Sequence, residues 1–163
     1  MESNRILYRR FHESDFDALY EILKNDNVTR YLPDRTGISE ERCKQWLDYF
    51  VKSYDETKPK LIYALIDKES SKLFGYAGVA YLKEFKLNEI MYGIHEALWK
   101  QGLATEAAKK MKELAIEFKL KKVVALFDPQ NIRTNKILIR LCYILNDIVN
   151  PWGMDLNYFK TEI

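Results

Sequence analysis

The sequence predicts an α/β (α+β) domain: a mixed, mostly antiparallel central sheet with helices on both faces and one βαβ unit. Three observations predict it. Two apolar, β-rich stretches, 61–66 and 73–82, flank a polar turn at 67–72, which makes an antiparallel hairpin. A third apolar stretch, Glu89-Ile90-Met91-Tyr92-Gly93-Ile94, is followed by an amphipathic helix pattern at 104–118 and a short apolar run at 123–127. Strand, helix, strand is a crossover unit, so those two strands lie parallel. Helical stripes both before and after the hairpin then supply cover for the two faces of the sheet.

In chain order, residues 5–11 read as a first strand. Ser14 caps a helix running to about Lys24, with Asp17 three residues on. Pro33, Asp34 and Gly37 mark a loop. Ser39 is a second N-cap, with Glu40 and Glu41 in the first turn, where the helix dipole favours acids. Cys43, Trp46, Leu47, Phe50, Val51 and Tyr54 then form one apolar helical stripe. In the 104–118 helix, Ala104, Ala107, Ala108, Met111, Ala115 and Phe118 face one way and Lys109, Lys110 and Lys112 the other. Asp128-Pro129 stops the 123–127 strand, and Asn131 caps a helix over about 132–141. Strands near 143–148 and 156–163 close the chain, with Pro151 and Gly153 between them. No repeat, low-complexity stretch or linker divides residues 1–163, so one domain is expected.

At 163 residues the chain can hold a substantial core, and 47% apolar with 31% charged residues is an ordinary globular mixture. A net charge of +2 does not point to nucleic acid as partner. No apolar run reaches membrane-spanning length and the N-terminus is not a signal peptide, so a cytoplasmic protein with free thiols at Cys43 and Cys142 is expected. Two histidines and two cysteines lack metal-ligand spacing. Neither a Gly-x-x-x-x-Gly-Lys loop, a Gly-x-Gly-x-x-Gly fingerprint nor a Gly-x-Ser-x-Gly elbow is present.

The segment carrying most chemistry is Trp99-Lys100-Gln101-Gly102-Leu103-Ala104-Thr105-Glu106, between the 89–94 strand and the following helix. A small-residue turn leading into a helix converges amide N–H groups and adds the positive end of the helix dipole, which suits a phosphate. Gly102 and Ala104 allow close approach, and Lys100, with Arg133 or Lys136, can meet further phosphate charge. Taken alone, Gly-x-Ala-Thr is equally a plain helix start.

A second motif changes that balance. Trp99-Lys100-Gln101-Gly102-Leu103-Ala104-Thr105-Glu106-Ala107, followed by Asp128-Pro129-Gln130-Asn131 and Thr134, resembles the GNAT superfamily of acetyl-CoA-dependent N-acetyltransferases. The likeness is to its Rim type, which includes ribosomal-protein N-terminal acetyltransferases, and Arg9-Arg10-Phe11 with Asp15 echo that type's opening. The resemblance implies acetyl-CoA as cofactor and a small-molecule or peptide amine as acceptor, in a monomer or homodimer. It implies that the main chain of Tyr92, Gly93 and Ile94 and residues Trp99, Lys100, Gln101, Gly102, Leu103, Ala104 and Thr105 hold the cofactor, with Asn131 and Thr134 contacting its thiol region. Gly93 within a strand fits a bulge or a close backbone approach. Three features depart from the family pattern, the first being Trp99, which stands where the broader superfamily often carries Arg or Gln and which the Rim type tolerates. Leu141-Cys142-Tyr143 replaces the usual Leu-Gly-Phe, and Ile139 stands where many relatives carry a proton-donating tyrosine, eight residues after the asparagine.

An amine must lose a proton before it attacks a thioester. Glu89 is the candidate base, its other reading being a solvated strand-end acid, and His95 and Glu96 are weaker candidates. Thr134 or Tyr143 can supply the proton to the leaving sulfur. Tyr31, Trp46, Tyr81 and Trp152, with Glu89, are candidates for lining the acceptor side, each of the aromatics being equally a core residue. The expected function is direct acetyl transfer to a primary amine. The alternative is a non-catalytic CoA-binding or partner-binding module.

Overall fold

The computed structural model describes residues 1–32, 36–54, 61–83 and 85–162. Pro33 and Asp34 of the expected loop, and Ile163 at the end of the last strand, lie outside them. In chain order the elements are β1 (Ile6–Arg10), a 3-10 turn (Glu13–Asp15), α1 (Phe16–Leu23), α2 (Asp26–Thr29), α3 (Glu40–Val51), β2 (Leu61–Asp67), β3 (Leu73–Leu82) and β4 (Leu87–Ile94). A second 3-10 turn (Glu96–Leu98), α4 (Leu103–Glu117), β5 (Lys122–Phe127), α5 (Ile132–Arg140), β6 (Ile144–Val149) and β7 (Leu156–Glu162) complete it.

Among the described residues the strands form one seven-stranded sheet in the order β1-β2-β3-β4-β5-β7-β6. Neighbours are antiparallel except β4 and β5, which are parallel and joined through α4. Helices cover both faces. On one, Leu103, Ala107, Met111, Leu114 and Ala115 of α4 and Leu138 of α5 pack on Ala77, Val79, Ile90 and Ala125. On the other, Leu19 and Leu23 of α1 with Cys43, Leu47 and Phe50 of α3 pack on Ile62, Ala64 and Tyr76. A fully buried Leu or Met contributes about 1.5–3 kcal/mol, so these stripes hold the helices in place. Alternation within each strand sends successive side chains to opposite faces. Glu89, Met91 and Gly93 therefore point toward the α1/α3 side, and Ile90, Tyr92 and Ile94 toward α4.

The structure corrects three local expectations. Ser14 is not a helix cap. It lies inside the 3-10 turn, and α1 begins at Phe16 with Asp15 as its N-cap. The cause is tertiary: Arg9 donates two hydrogen bonds of 2.7 Å to the Asp15 carboxylate, which also accepts the His12 N–H at 2.9 Å. A one-turn helix, α2, was not expected; the Asn25 side chain starts it by accepting the Asn27 N–H at 2.8 Å. Gly93 makes no bulge, since its register with Tyr76 is regular. A Cβ there would lie 2.5 Å from the Tyr76 ring, so the glycine makes room for that ring. Ser39 caps α3 as expected, accepting the Arg42 N–H at 3.3 Å.

Candidate active site

The first part of the site is the entry to α4. The Trp99 indole N–H donates to the Ile94 carbonyl at 2.8 Å, closing the end of β4. Lys100 (φ 65°) and Gly102 (φ 81°) then take left-handed conformations that swing the chain into the helix. Glu106 N–H is the amide that returns to Gly102, at 3.0 Å. The amides of Leu103, Ala104 and Thr105 lie in the first turn, where a helix has no internal acceptors. They face outward with the positive end of the dipole behind them, as an anion site requires. Lys100, Gln101 and Gly102 are exposed, whereas the Leu103 side chain is buried, leaving its amide to serve the turn.

This turn is braced by a residue far away in sequence. Arg5 donates from its side chain to the Gln101 carbonyl (2.8 Å) and pairs with Glu106 (2.9 Å), while its own N–H reaches Glu106 at 2.7 Å. Ser3 adds a hydroxyl bond to the same carboxylate at 2.8 Å. Burial pushes the Glu106 pKa up, but the Arg5 amide, Ser3 and the Arg5 guanidinium outweigh it and hold it below the usual carboxylate range. No spacing in the sequence announces Arg5; its partners lie about a hundred residues away. Arg133 of α5 lays its guanidinium over the Trp99 ring (5.0 Å), which ties α5 to the turn.

The second part is a gap between parallel strands. β4 pairs with β5 only at Asn88–Val123 and Glu89–Val124. Beyond that point β4 stays bonded to β3 as far as Ile94, and β5 to β7 as far as Phe127, so their facing edges separate. Glu89 sits at the vertex. Its carboxyl accepts the Leu126 N–H at 3.3 Å, an amide that parallel pairing would otherwise have used. Burial pushes the Glu89 pKa up, against the lowering effect of the Leu126 bond, to about 8. On the opposite face, the Tyr92 ring meets Phe127 across the gap, with centroids 5.6 Å apart.

At the far side of the gap Asn131 caps α5, accepting the Thr134 N–H at 3.2 Å, so its carbonyl oxygen has a structural task as well. Thr134 is buried beside Tyr92. The Tyr92 and Tyr143 hydroxyls and the Asn88 side-chain carbonyl are buried without hydrogen-bond partners. Ile139 is 62% exposed on α5 and has no proton to donate. The inward position on that turn is Leu138, which has no proton to donate.

The remaining candidates separate. Glu96 is held by the Asn25 and Asn27 amides at 2.8 Å each; Asn25 first and Asn27 next lower its pKa, which ties it to α2 as a clamp. His95 accepts the Ala97 N–H through Nδ1 at 3.2 Å and caps the second 3-10 turn. Trp46, half-buried on α3, packs edge-on against Phe50 and Tyr76 at the margin of the core. Tyr81 is 47% exposed, and alternation with Val79 puts it on the face opposite Glu89. Tyr31 is half-buried after α2, beneath the Arg30 guanidinium. Trp152 is exposed in the β6–β7 turn. That turn helps line a cleft of about 390 Å³ with Asp128, Pro129, Gln130 and Asp155, at the end of β5. Among the described residues no cluster of His, Cys, Asp and Glu could hold a metal ion, and no helix is long and apolar enough to cross a membrane.

Residues 5–142 match the family model of the acetyltransferase (GNAT) domain, and the chain belongs to that family. It is 24% identical over 143 residues to the uncharacterized N-acetyltransferase YoaA of Bacillus subtilis, covering 86% of this chain and 80% of YoaA. The fold is similar to that of RimL, a ribosomal L7/L12 alpha-N-protein acetyltransferase solved in complex with CoA (TM-score 0.80, 19% identity, 99% of this chain and 96% of that one). It is also similar to yncA of Salmonella typhimurium, an acetyltransferase solved with its cofactor acetyl-CoA (TM-score 0.72, 16% identity, 98% and 94%). GNAT acetyltransferases use acetyl-CoA. The residues present fit that molecule: a helix start with open amides, a gap beside an extended strand edge, and buried hydroxyls lacking partners.

Proposed function

We propose that this protein transfers the acetyl group of acetyl-CoA to the primary amine of a peptide N-terminus or a small molecule, by direct transfer in the manner of the Rim type. The observation that carries this reading is the parting of β4 from β5 immediately after Glu89, beside the open first turn of α4. In this reading Trp99 and Lys100 shape the turn, and the amides of Gln101, Gly102, Leu103, Ala104 and Thr105 hold the diphosphate. The free edge of β4 at Tyr92, Gly93 and Ile94 aligns the extended arm, with Asn131 and Thr134 at its thiol end. Acetyl-CoA supplies an acyl group on a good leaving group.

Glu89 takes the proton of the acceptor amine. A carboxyl whose pKa is about 8 is matched to an α-amino group (pKa ~7.7–8.0), whereas a lysine-like amine (~10.4) leaves that transfer uphill by about 3 kcal/mol. This supports a peptide N-terminus over a side-chain amine. The acceptor approaches on the α1/α3 side, where Glu89 points, with Tyr31, Trp46 and Trp152 around that side and Tyr81 beyond the sheet. The exposed edge strand β6 is where a homodimer would form. Because Leu138 cannot act as a proton donor, the second reading is a CoA-binding module without turnover. Thiol release from acetyl-CoA across peptides of varied N-terminus and small amines tests both. Turnover with α-amines is the expected result; binding without turnover throughout the set would favour the module.

A further inference from the structure

Three hydroxyls gather beside the gap, those of Tyr92, Thr134 and Tyr143, and the Tyr92 hydroxyl has no task in the proposed reaction. Tyr92 extends from the unpaired stretch of β4, Thr134 from the first turn of α5, and Tyr143 from the residue where the chain leaves that helix. Tyr143 is 3% exposed, and neither its hydroxyl nor that of Tyr92 has a hydrogen-bond partner. Thr134 stands near enough to the Tyr92 hydroxyl to lower its pKa, although their geometry falls short of a regular hydrogen bond, and Tyr92 in turn raises the pKa of Tyr143. A buried hydroxyl left unpaired is destabilising, so a neighbouring pair is a costly arrangement for a chain that could carry phenylalanine at both positions. The surroundings also have a sign. The Lys112 ammonium stands 5.3 Å from the Tyr143 ring, anchored by the Leu141 carbonyl (2.8 Å) and the Thr161 hydroxyl (3.2 Å). No carboxylate acts on either phenol, and Glu89 is on the opposite face.

The geometry points to the Tyr92 and Tyr143 hydroxyls as hydrogen-bond donors to the sulfur of CoA, backed by Lys112, a task that neither Leu138 nor Ile139 can perform. This inference rests on the acetyl-CoA reading. During transfer the amine nitrogen bonds to the acyl carbon, the carbon–sulfur bond breaks, and its electron pair goes to sulfur. The two phenols keep their protons and stabilise that charge; the proton lost by the amine to Glu89 balances the thiolate and later neutralises it. Burial pushes both phenol pKa values far up, which makes them donors of hydrogen bonds rather than of protons.

The test uses Tyr143→Phe and Tyr92→Phe in the full chain, with CoA and desulfo-CoA as probes and the ultraviolet absorbance of the thiolate as readout. A free thiol ionises near ~8.5. The expected result is that the wild-type protein lowers the midpoint of bound CoA by about one unit and that each variant returns about half of that shift, roughly threefold in the ionisation constant. Desulfo-CoA affinity should be the same in all three proteins, and the melting temperatures of both variants should equal or exceed that of the wild type. CoA binding with the same thiol midpoint in all three proteins would overturn this inference alone, as would variants that melt lower. Absence of CoA binding by the wild-type protein would overturn both it and the proposed function.

Discussion

In the proposed reaction Glu89 couples chemistry to stability through one proton. Its folded pKa of about 8 lies above the ordinary 4.5, so the native state favours the neutral acid. Between those two values the native protein holds a proton the unfolded chain has released. Stability therefore falls as pH rises through that window and levels off above it. Glu89→Gln keeps an acceptor for the Leu126 N–H but cannot ionise. Urea denaturation should show the variant gaining on wild type from pH 5 to pH 8, by roughly 1–2 kcal/mol, less than the full pKa interval because by surface exposure Glu89 is only half-buried and solvent screens its charge. Its turnover should fall about 10²–10⁴-fold and lose the limb near pH 8; an unchanged pH–rate profile would remove Glu89 as the base. A second residue tests backbone strain. Cys142 (φ 62°) closes α5 with its N–H on the Ile139 carbonyl and the Tyr143 N–H on the Leu138 carbonyl, 3.0 Å each. That left-handed position suits glycine, and an L-residue there costs about 1–2 kcal/mol. Part of this returns to a glycine variant as unfolded-chain entropy, so Cys142→Gly should stabilise the protein by about 0.5–1 kcal/mol in the same denaturation assay.

At the scale of elements, the N-terminal segment matters because it braces the α4 entry. Arg5→Ala removes its side-chain bond to the Gln101 carbonyl and the ion pair to Glu106 while leaving the turn's own amides in place. Titration with CoA should show affinity weakened about 3–10-fold, or about 1 kcal/mol, with turnover at saturation unchanged. A fall in turnover instead would place Arg5 in the chemistry. Elements defined by local pattern were legible in the sequence. The hairpin of β2 and β3, the α4 stripe, the Ser39 and Asn131 caps and the parallel β4–β5 relation all follow from periodicity and turn residues. What was not legible depends on contacts between distant residues. The start of α1 is set by Arg9 reaching Asp15. Gly93 answers to the Tyr76 ring on the neighbouring strand. Tyr143 reads as the start of a strand but is the buried residue that closes α5. The direction of a single side chain, Leu138 inward and Ile139 outward, needs the helix phase that only packing supplies.

Over the whole molecule, the sheet order makes β4 and β5 the place where two antiparallel halves meet in a parallel pair. The seam is held by the two register pairs at Asn88 and Glu89, and its open end lies beside the α4 turn. A ligand that fills the seam binds the native state alone. CoA at about a hundred times its Kd should add about 2.7 kcal/mol to stability, a rise of about 5–10 °C in Tm for a chain of this size. The central claim is that backbone donors at the start of α4 grip a diphosphate while β4 carries the thiol arm. Titration calorimetry with CoA and with pantetheine, which has the arm but no diphosphate, tests it most directly. One CoA should bind per chain, and pantetheine should bind at least about 100-fold more weakly, from the loss of two or more charge-assisted hydrogen bonds. No heat with CoA, or equal affinity for the two ligands, would contradict it.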